Sequence, residues 1–145
     1  PPAQQWQMQQ ELASRRANVT PDGKIEAATA FAANQDWERS LKVIDSIGNP
    51  IKKSRALVQV AEIATAFNQK DQAGKQLVQA FISANKIQDD FVKLSAFSEI
   101  ATAYGNLNDP SITRAGLEQI RSSADKLQDN YNESSALSAI ATAYS

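Results

Sequence analysis

One short phrase occurs four times in this chain, and it constrains the fold more than any other feature. Each copy carries Ala-Thr-Ala followed by an aromatic residue, and the four threonines are Thr29, Thr65, Thr102 and Thr142. They are 36, 37 and 40 residues apart (65 − 29, 102 − 65 and 142 − 102). A period of roughly 20–50 residues is typical of proteins that stack one supersecondary unit on the next. The spacing therefore predicts a stacked repeat fold.

The residues before each phrase predict helices. Leu94, Phe97, Ile100 and Tyr104 recur at three- and four-residue spacing, which places them on one face of an amphipathic helix. Helices that end in the phrase are expected at about 21–34, 51–68, 90–105 and from 131 onward, with a further helix before each of the last three. We therefore predict an all-α fold, an α-solenoid of about seven antiparallel helices in three to four stacked hairpins. Residues 1–19 are expected to form an N-terminal capping helix on one repeat domain, residues 20–145.

Capping and turn residues predict where the helices begin and end. Thr20, Asn49 and Asp109 each precede a proline, and a capping side chain before a proline is a typical helix start. Gly48 and Gly105 are expected to end helices in the left-handed conformation. The remaining helix starts are expected at acidic or amide residues, namely Asp36, Asp71, Asp89 or Asp90, and Asp129 or Asn130.

Bulky aromatic residues are expected between the layers. Phe67, Tyr104 and Tyr144 close three of the phrases, beside alanines that let neighbouring helices approach closely. Trp37 stands at the head of a helix and is expected in the core as well. Trp6 lies in a glutamine-rich first helix, and the sequence leaves open whether it caps the core or makes an exposed contact.

The hairpins between residues 20 and 145 resemble tetratricopeptide-like (TPR-like) repeats of the bacterial type. The resemblance rests on Asp36-Trp37-Glu38-Arg39-Ser40-Leu41, Ile44 and Ile47, then on Arg55-Ala56-Leu57 and Ile63-Ala64. The period is longer than the family's, which is about 34 residues, and the Leu-Gly pair of that family is missing. The resemblance implies protein–protein interaction or scaffolding, and it brings no catalytic residues with it.

The composition argues against catalysis. The chain contains no histidine and no cysteine, which removes the commonest general base, the commonest metal ligand and every thiol nucleophile. Asp89-Asp90 is an adjacent carboxylate pair, but a helix cap explains it better than a cation site or an acid/base pair. We therefore expect a protein that is not an enzyme and that has no catalytic residues, no cofactor and no metal.

Charge and hydropathy narrow the range of partners. The 15 Lys and Arg residues balance 16 Asp and Glu residues, and the signs alternate along the chain. Nucleic-acid binding would need a basic stripe that neutralises phosphates, so no nucleic acid is expected. No stretch approaches the roughly 20 apolar residues that span a bilayer, so no membrane insertion is expected. The expected partner is a protein or a peptide.

The helix around residues 73–87 carries the first candidate partner-binding residues. Val78 and Ile82 lie one turn apart, off its main apolar stripe. They either pack on the next layer or line the concave surface as apolar contacts for a bound segment. Lys75 and Gln79 are polar neighbours that would orient such a segment.

A second candidate set is the basic cluster Lys52, Lys53 and Arg55. It either binds an acidic partner or forms a solvated helix face. Because cations are mildly unfavourable in the first turns of a helix, the binding interpretation stays open.

Two functions are compatible with these features. The first is a non-enzymatic interaction or scaffolding module that holds a protein or peptide on its concave face. The alternative is a structural or spacer segment of a larger exported or scaffold protein, with no ligand of its own.

The two ends of the chain bear on association with other molecules and on the cellular compartment. The stripe Leu137, Ile140, Ala141 and Tyr144 has no polar helix after it, so either the array continues in a longer protein or this C-terminal helix associates with another molecule, including a second copy. The Pro1-Pro2 start and the absence of thiols favour an exported protein (periplasmic, lumenal or extracellular), although the sequence does not fix the compartment.

Overall fold

The fold is known from a computed structural model, which describes residues 4–5, 7–8 and 20–144, with side chains up to residue 130. The described residues form α-helices and loops, with no strand among them. The helices are α1 (Pro21–Ala33), α2 (Trp37–Asp45), α3 (Pro50–Ala66), α4 (Lys70–Ala84), α5 (Asp90–Gly105) and α6 (Pro110–Tyr144). Residues 4–5 and 7–8 are also helical, and the rest of the expected capping helix, including Trp6, lies outside the described residues. The prediction of an all-α protein is confirmed.

Most helix starts are the predicted ones. The side chain of Thr20 accepts a hydrogen bond from the backbone N–H of Gly23, and Asn49 and Asp109 cap α3 and α6 in the same way. Asp36 and Asp89 cap α2 and α5, so Asp89-Asp90 has the structural role expected of it. The predicted cap at Asp71 is wrong, because α4 begins at Lys70 and has no side-chain cap.

The chain reverses at amide residues and not at the predicted glycines. Gln35, Asn68 and Asn108 have φ values of 59°, 59° and 55°, whereas no described glycine has a positive φ. Gly105 is simply the last residue of α5. The predicted end of a helix at Gly105 is confirmed, but the left-handed conformation predicted for Gly48 and Gly105 is wrong. Asparagine reaches the left-handed region at a low cost because its short side chain bonds locally, but Gln35 has no such advantage.

Two of the reversals share one pattern of hydrogen bonds. After α1, the N–H of Gln35 donates to the carbonyl of Ala32, and the N–H of Asp36 donates to the carbonyl of Phe31. After α3, the N–H groups of Asn68 and Gln69 donate to the carbonyls of Thr65 and Ala64. Both satisfy carbonyls that the helix end leaves without a partner, as in a Schellman motif.

The C-terminal hairpin predicted from the repeat is replaced by one long helix. Helix α6 runs for 35 residues, about 52 Å at the helical rise of about 1.5 Å per residue, and Asp129 and Asn130 lie inside it. The predicted break is wrong because residues 117–144 contain neither proline nor glycine, and a capping side chain alone does not end a helix. The side chains of the stripe at Leu137 to Tyr144 lie outside the described residues.

Most helix contacts join neighbours along the chain. Each helix contacts the next along the chain, and α1, α3 and α5 also contact one another in series, as do α4 and α6. The largest members of the buried core are Tyr104, Phe97, Ile44, Leu57 and Leu77. The core also contains Ser40, whose hydroxyl donates to the carbonyl of Ala28 at 2.8 Å and so joins α2 to α1.

The aromatic residues divide between core and surface. Tyr104 is 2% exposed, as predicted. Phe67 is 42% exposed, so its predicted burial is wrong. Helix α3 ends at Ala66, and Phe67 is the C-cap residue that follows it. Trp37 is half-buried against the core and meets the Phe67 ring edge-on, with 6.4 Å between centroids.

Candidate binding site

The candidate site lies on the solvent-exposed face of helix α4. Lys75, Val78, Gln79 and Ile82 are all exposed along this face. Val78 and Ile82 keep 42% and 44% of their surface exposed, so both side chains are accessible to a bound segment. The four residues form a polar and apolar ridge, which we call the α4 ridge.

A groove lies between α2 and α4, with α3 as its floor. Its cavity measures about 530 Å³. This α2–α4 groove is lined by Leu41, Asp45, Lys53, Leu57, Gln72, Lys75, Gln76, Val78 and Gln79. Four of the predicted candidates, Lys53, Lys75, Val78 and Gln79, therefore meet around one cavity.

The α2–α4 groove contains a buried polar atom without a partner. Gln76 is 1% exposed, and its Oε1 accepts no hydrogen bond from any residue that the structure describes. Leu57 and Leu41 from the neighbouring helices line the same cavity, so the amide sits among aliphatic side chains. An unpartnered buried acceptor costs about 1–3 kcal/mol of stability.

Charged groups line the groove without neutralising one another. Lys53 is half-buried, whereas Lys75 and Asp45 are exposed. None of the three forms an ion pair with another residue in the described part of the chain, where the ion pairs are Arg39–Asp36, Lys52–Asp22 and Arg121–Asp125. The lining therefore carries two cations and one anion.

A second groove lies between α4 and α6. Its cavity of about 510 Å³ is lined by Asp71, Gly74, Lys75, Val78, Tyr104, Ile112, Ala115, Gly116 and Gln119. Lys75 and Val78 line both grooves, so the α4 ridge separates them. In this α4–α6 groove, burial raises the pKa of the Tyr104 hydroxyl above its usual 10.

Two glycines allow the helices around the second groove to approach closely. A Cβ at Gly116 would lie within 2.6 Å of three atoms of the Tyr104 ring, so α6 passes directly against that ring. A Cβ at Gly74 would lie 3.1 Å from Cγ2 of Ile112. These positions have no space for a larger residue without movement of a neighbour.

The predicted basic cluster is not one surface. Lys52 forms an ion pair with Asp22 of α1 at 2.6 Å. Lys53 lines the α2–α4 groove, whereas Arg55 lines a small cavity of about 40 Å³ between α3 and α5, together with Glu99. The three side chains occupy different sides of α3, so the cluster offers no single site for an acidic partner. Ile82 lies on the α4 ridge but lines neither groove.

The sequence does not predict the floor of the α2–α4 groove. Leu41 and Leu57 are ordinary members of apolar stripes, and nothing in the sequence singles them out. Gln76 did carry a signal, because it interrupts the apolar stripe Ala73, Leu77 and Ala80 of α4. A polar residue on the buried side of a helix needs a partner, so its position within the stripe indicates a polar contact there.

Comparisons with known proteins do not identify the function of this site. No protein-family model, no curated protein and no solved structure matches the chain. Within the described residues, no group of three or more acidic side chains could hold a metal ion. Among the same residues, no helix combines the length and hydropathy that would let it cross a bilayer.

Proposed function

We propose that the protein is a non-enzymatic interaction module, in which TPR-like hairpins stack as an α-solenoid and bind a protein or peptide along the α4 ridge. The order of helix contacts supports the stacking, because each hairpin packs on helices of the preceding one. The α2, α4 and α6 set would then supply the concave face.

The observation that carries this proposal is the exposed apolar pair Val78 and Ile82 on the α4 ridge, of which Val78 lies between the two grooves. A peptide that lies along α4 would cover both side chains and could extend into either cavity. Exposed apolar residues beside a groove are a typical feature of surfaces that bind helical or extended segments.

Selection from a phage-displayed library of random peptides tests the proposal. Peptides enriched on the wild-type protein should bind the double variant Val78→Asp/Ile82→Asp at least about tenfold more weakly, because about 1.4 kcal/mol of apolar contact would be lost. The control is Val92→Asp/Leu117→Asp, since these residues are similarly exposed, at 36% and 38%, on α5 and α6. Melting followed by circular dichroism checks that both variants fold.

The alternative function, a spacer segment without a ligand, makes the opposite prediction. A spacer would enrich no peptide, or it would enrich peptides that bind both double variants equally. Either result would reject the interaction module.

A further inference from the structure

We propose that the α2–α4 groove is a subsite for one aliphatic residue of a bound polypeptide, whose main-chain N–H donates a hydrogen bond to Gln76. This inference rests on the proposed function and deepens it. It assigns a ligand chemistry to one of the two grooves and a role to a residue that the α4 ridge does not include.

Gln76 requires a donor that the described residues do not supply. Its Oε1 is buried and has no hydrogen-bond partner, and the residue lines the cavity. The last torsion of a glutamine side chain is broad and roughly two-fold, so rotation about it can present Oε1 to the cavity without movement of the helix. A carbonyl oxygen only accepts, so the ligand atom that meets it must be an N–H or O–H group.

The walls of the cavity require an apolar group beside that donor. Leu41, Leu57 and Val78 come from three different helices and surround the amide with aliphatic surface. No aromatic residue lines this cavity, so it offers no stacking surface for a nucleobase or for the face of a sugar. A polypeptide has an N–H next to an aliphatic side chain at every valine, leucine or isoleucine, and it therefore fits both requirements with one residue.

The charges of the groove limit which residues flank the anchored one. Lys53 and Lys75 outnumber Asp45, and none of them is neutralised by a neighbour in the described structure. A lysine or arginine next to the aliphatic residue would meet like charge in a partly desolvated cavity, and this disfavours basic segments.

The test uses two small probes that differ in one atom. N-acetyl-L-leucine N,N-dimethylamide has a single N–H donor, and its ester analogue has oxygen in place of that N–H. Titrations followed by ¹H–¹⁵N correlation spectra give the dissociation constant of each probe and show which amides shift. We expect the amide probe to bind about fivefold more tightly than the ester, with shifts at the side-chain amide of Gln76 and the backbone amide of Val78.

Two variants separate the hydrogen bond from general packing. Gln76→Met keeps the length of the side chain but removes the acceptor, so the two probes should bind it equally. Gln59→Met is the matched control, because Gln59 is a half-buried helical glutamine that lines neither groove; it should keep the fivefold preference. Gln76→Met should also melt no lower than the wild type, since it loses an unpartnered polar group.

Several results would overturn the inference. These are equal binding of both probes by the wild type, a preference that survives in Gln76→Met, shifts outside the groove, or no binding at the highest soluble concentration. Failure here differs from failure of the proposed function. If library peptides bind through Val78 and Ile82 while the probes do not bind, the interaction module stands and the subsite falls.

Discussion

Replacement of Gly116 by alanine tests how closely α6 packs against α5. The added Cβ would lie within 2.6 Å of three atoms of the Tyr104 ring, which is 2% exposed and packed in the core. Either the ring must rotate within the core, or α6 must shift away from α5. Both movements disturb packing around the α4–α6 groove.

The expected change is the difference between two opposing effects. Alanine stabilises a helix interior by about 0.5–1 kcal/mol relative to glycine, and one extra carbon in a packed core costs about 1–3 kcal/mol. The free energy of unfolding of Gly116→Ala should therefore fall by about 1 kcal/mol, which lowers Tm by about 2–4 °C. Urea titration and thermal melting measure both quantities.

Two further variants make this prediction specific. Gly74→Ala has the same helical gain, but its nearest neighbour is the tip of Ile112 at 3.1 Å, so its stability should be unchanged or slightly higher. In a Tyr104→Leu background the ring is absent, and Gly116→Ala should become stabilising by about 0.5–1 kcal/mol. If Gly116→Ala stabilises the wild-type protein as much as it stabilises the Tyr104→Leu variant, the close contact between α6 and the Tyr104 ring is not real.

Three other predictions follow from single contacts. Ser40→Ala removes the buried donor to the Ala28 carbonyl and should lower the free energy of unfolding by about 1–2 kcal/mol in urea; the exposed Ser46→Ala is the control, and equal effects would contradict the role of burial. Gln35→Gly should raise it by about 0.5–1 kcal/mol, because glycine adopts the φ of 59° without strain; a loss of stability would refute this. Tyr104 stays protonated in the folded protein at pH values where the unfolded chain has lost the proton, because burial raises its pKa. Stability should therefore fall as pH rises above about 10, more steeply than in Tyr104→Phe, and parallel curves for the two proteins would exclude the effect.

Local chemistry made the helix starts predictable. Thr20, Asn49 and Asp109 cap their helices because the side-chain oxygen and the following proline act within one turn, without help from the rest of the fold. The end of a helix is less local. At Asp129 and Asn130 a cap was available, but continued helix formation left it unused.

The candidate site was predictable in part because the periodicity of a helix, like its capping, is a local property of the sequence. Periodicity alone places Lys75, Val78 and Gln79 on one face of α4, since side chains three and four residues apart are neighbours on a helix. Leu41 and Leu57 reach the groove only because three helices converge there, and no spacing within a helix encodes that convergence. The ion pair of Lys52 was not predictable from local spacing, because its partner, Asp22, is 30 residues away in sequence.

The paired reversals at Gln35 and Asn68 have a consequence for the order of folding. Their hydrogen bonds join residues three and five apart in sequence, so closing each corner has a small entropic cost. We therefore expect the α1–α2 and α3–α4 hairpins to nucleate separately and to dock afterwards. In pulsed hydrogen exchange during refolding, the amides of Asp36 and Gln69 should gain protection before that of the deeply buried Leu77. Simultaneous protection of all three amides would show instead that neither corner forms ahead of the assembled layers.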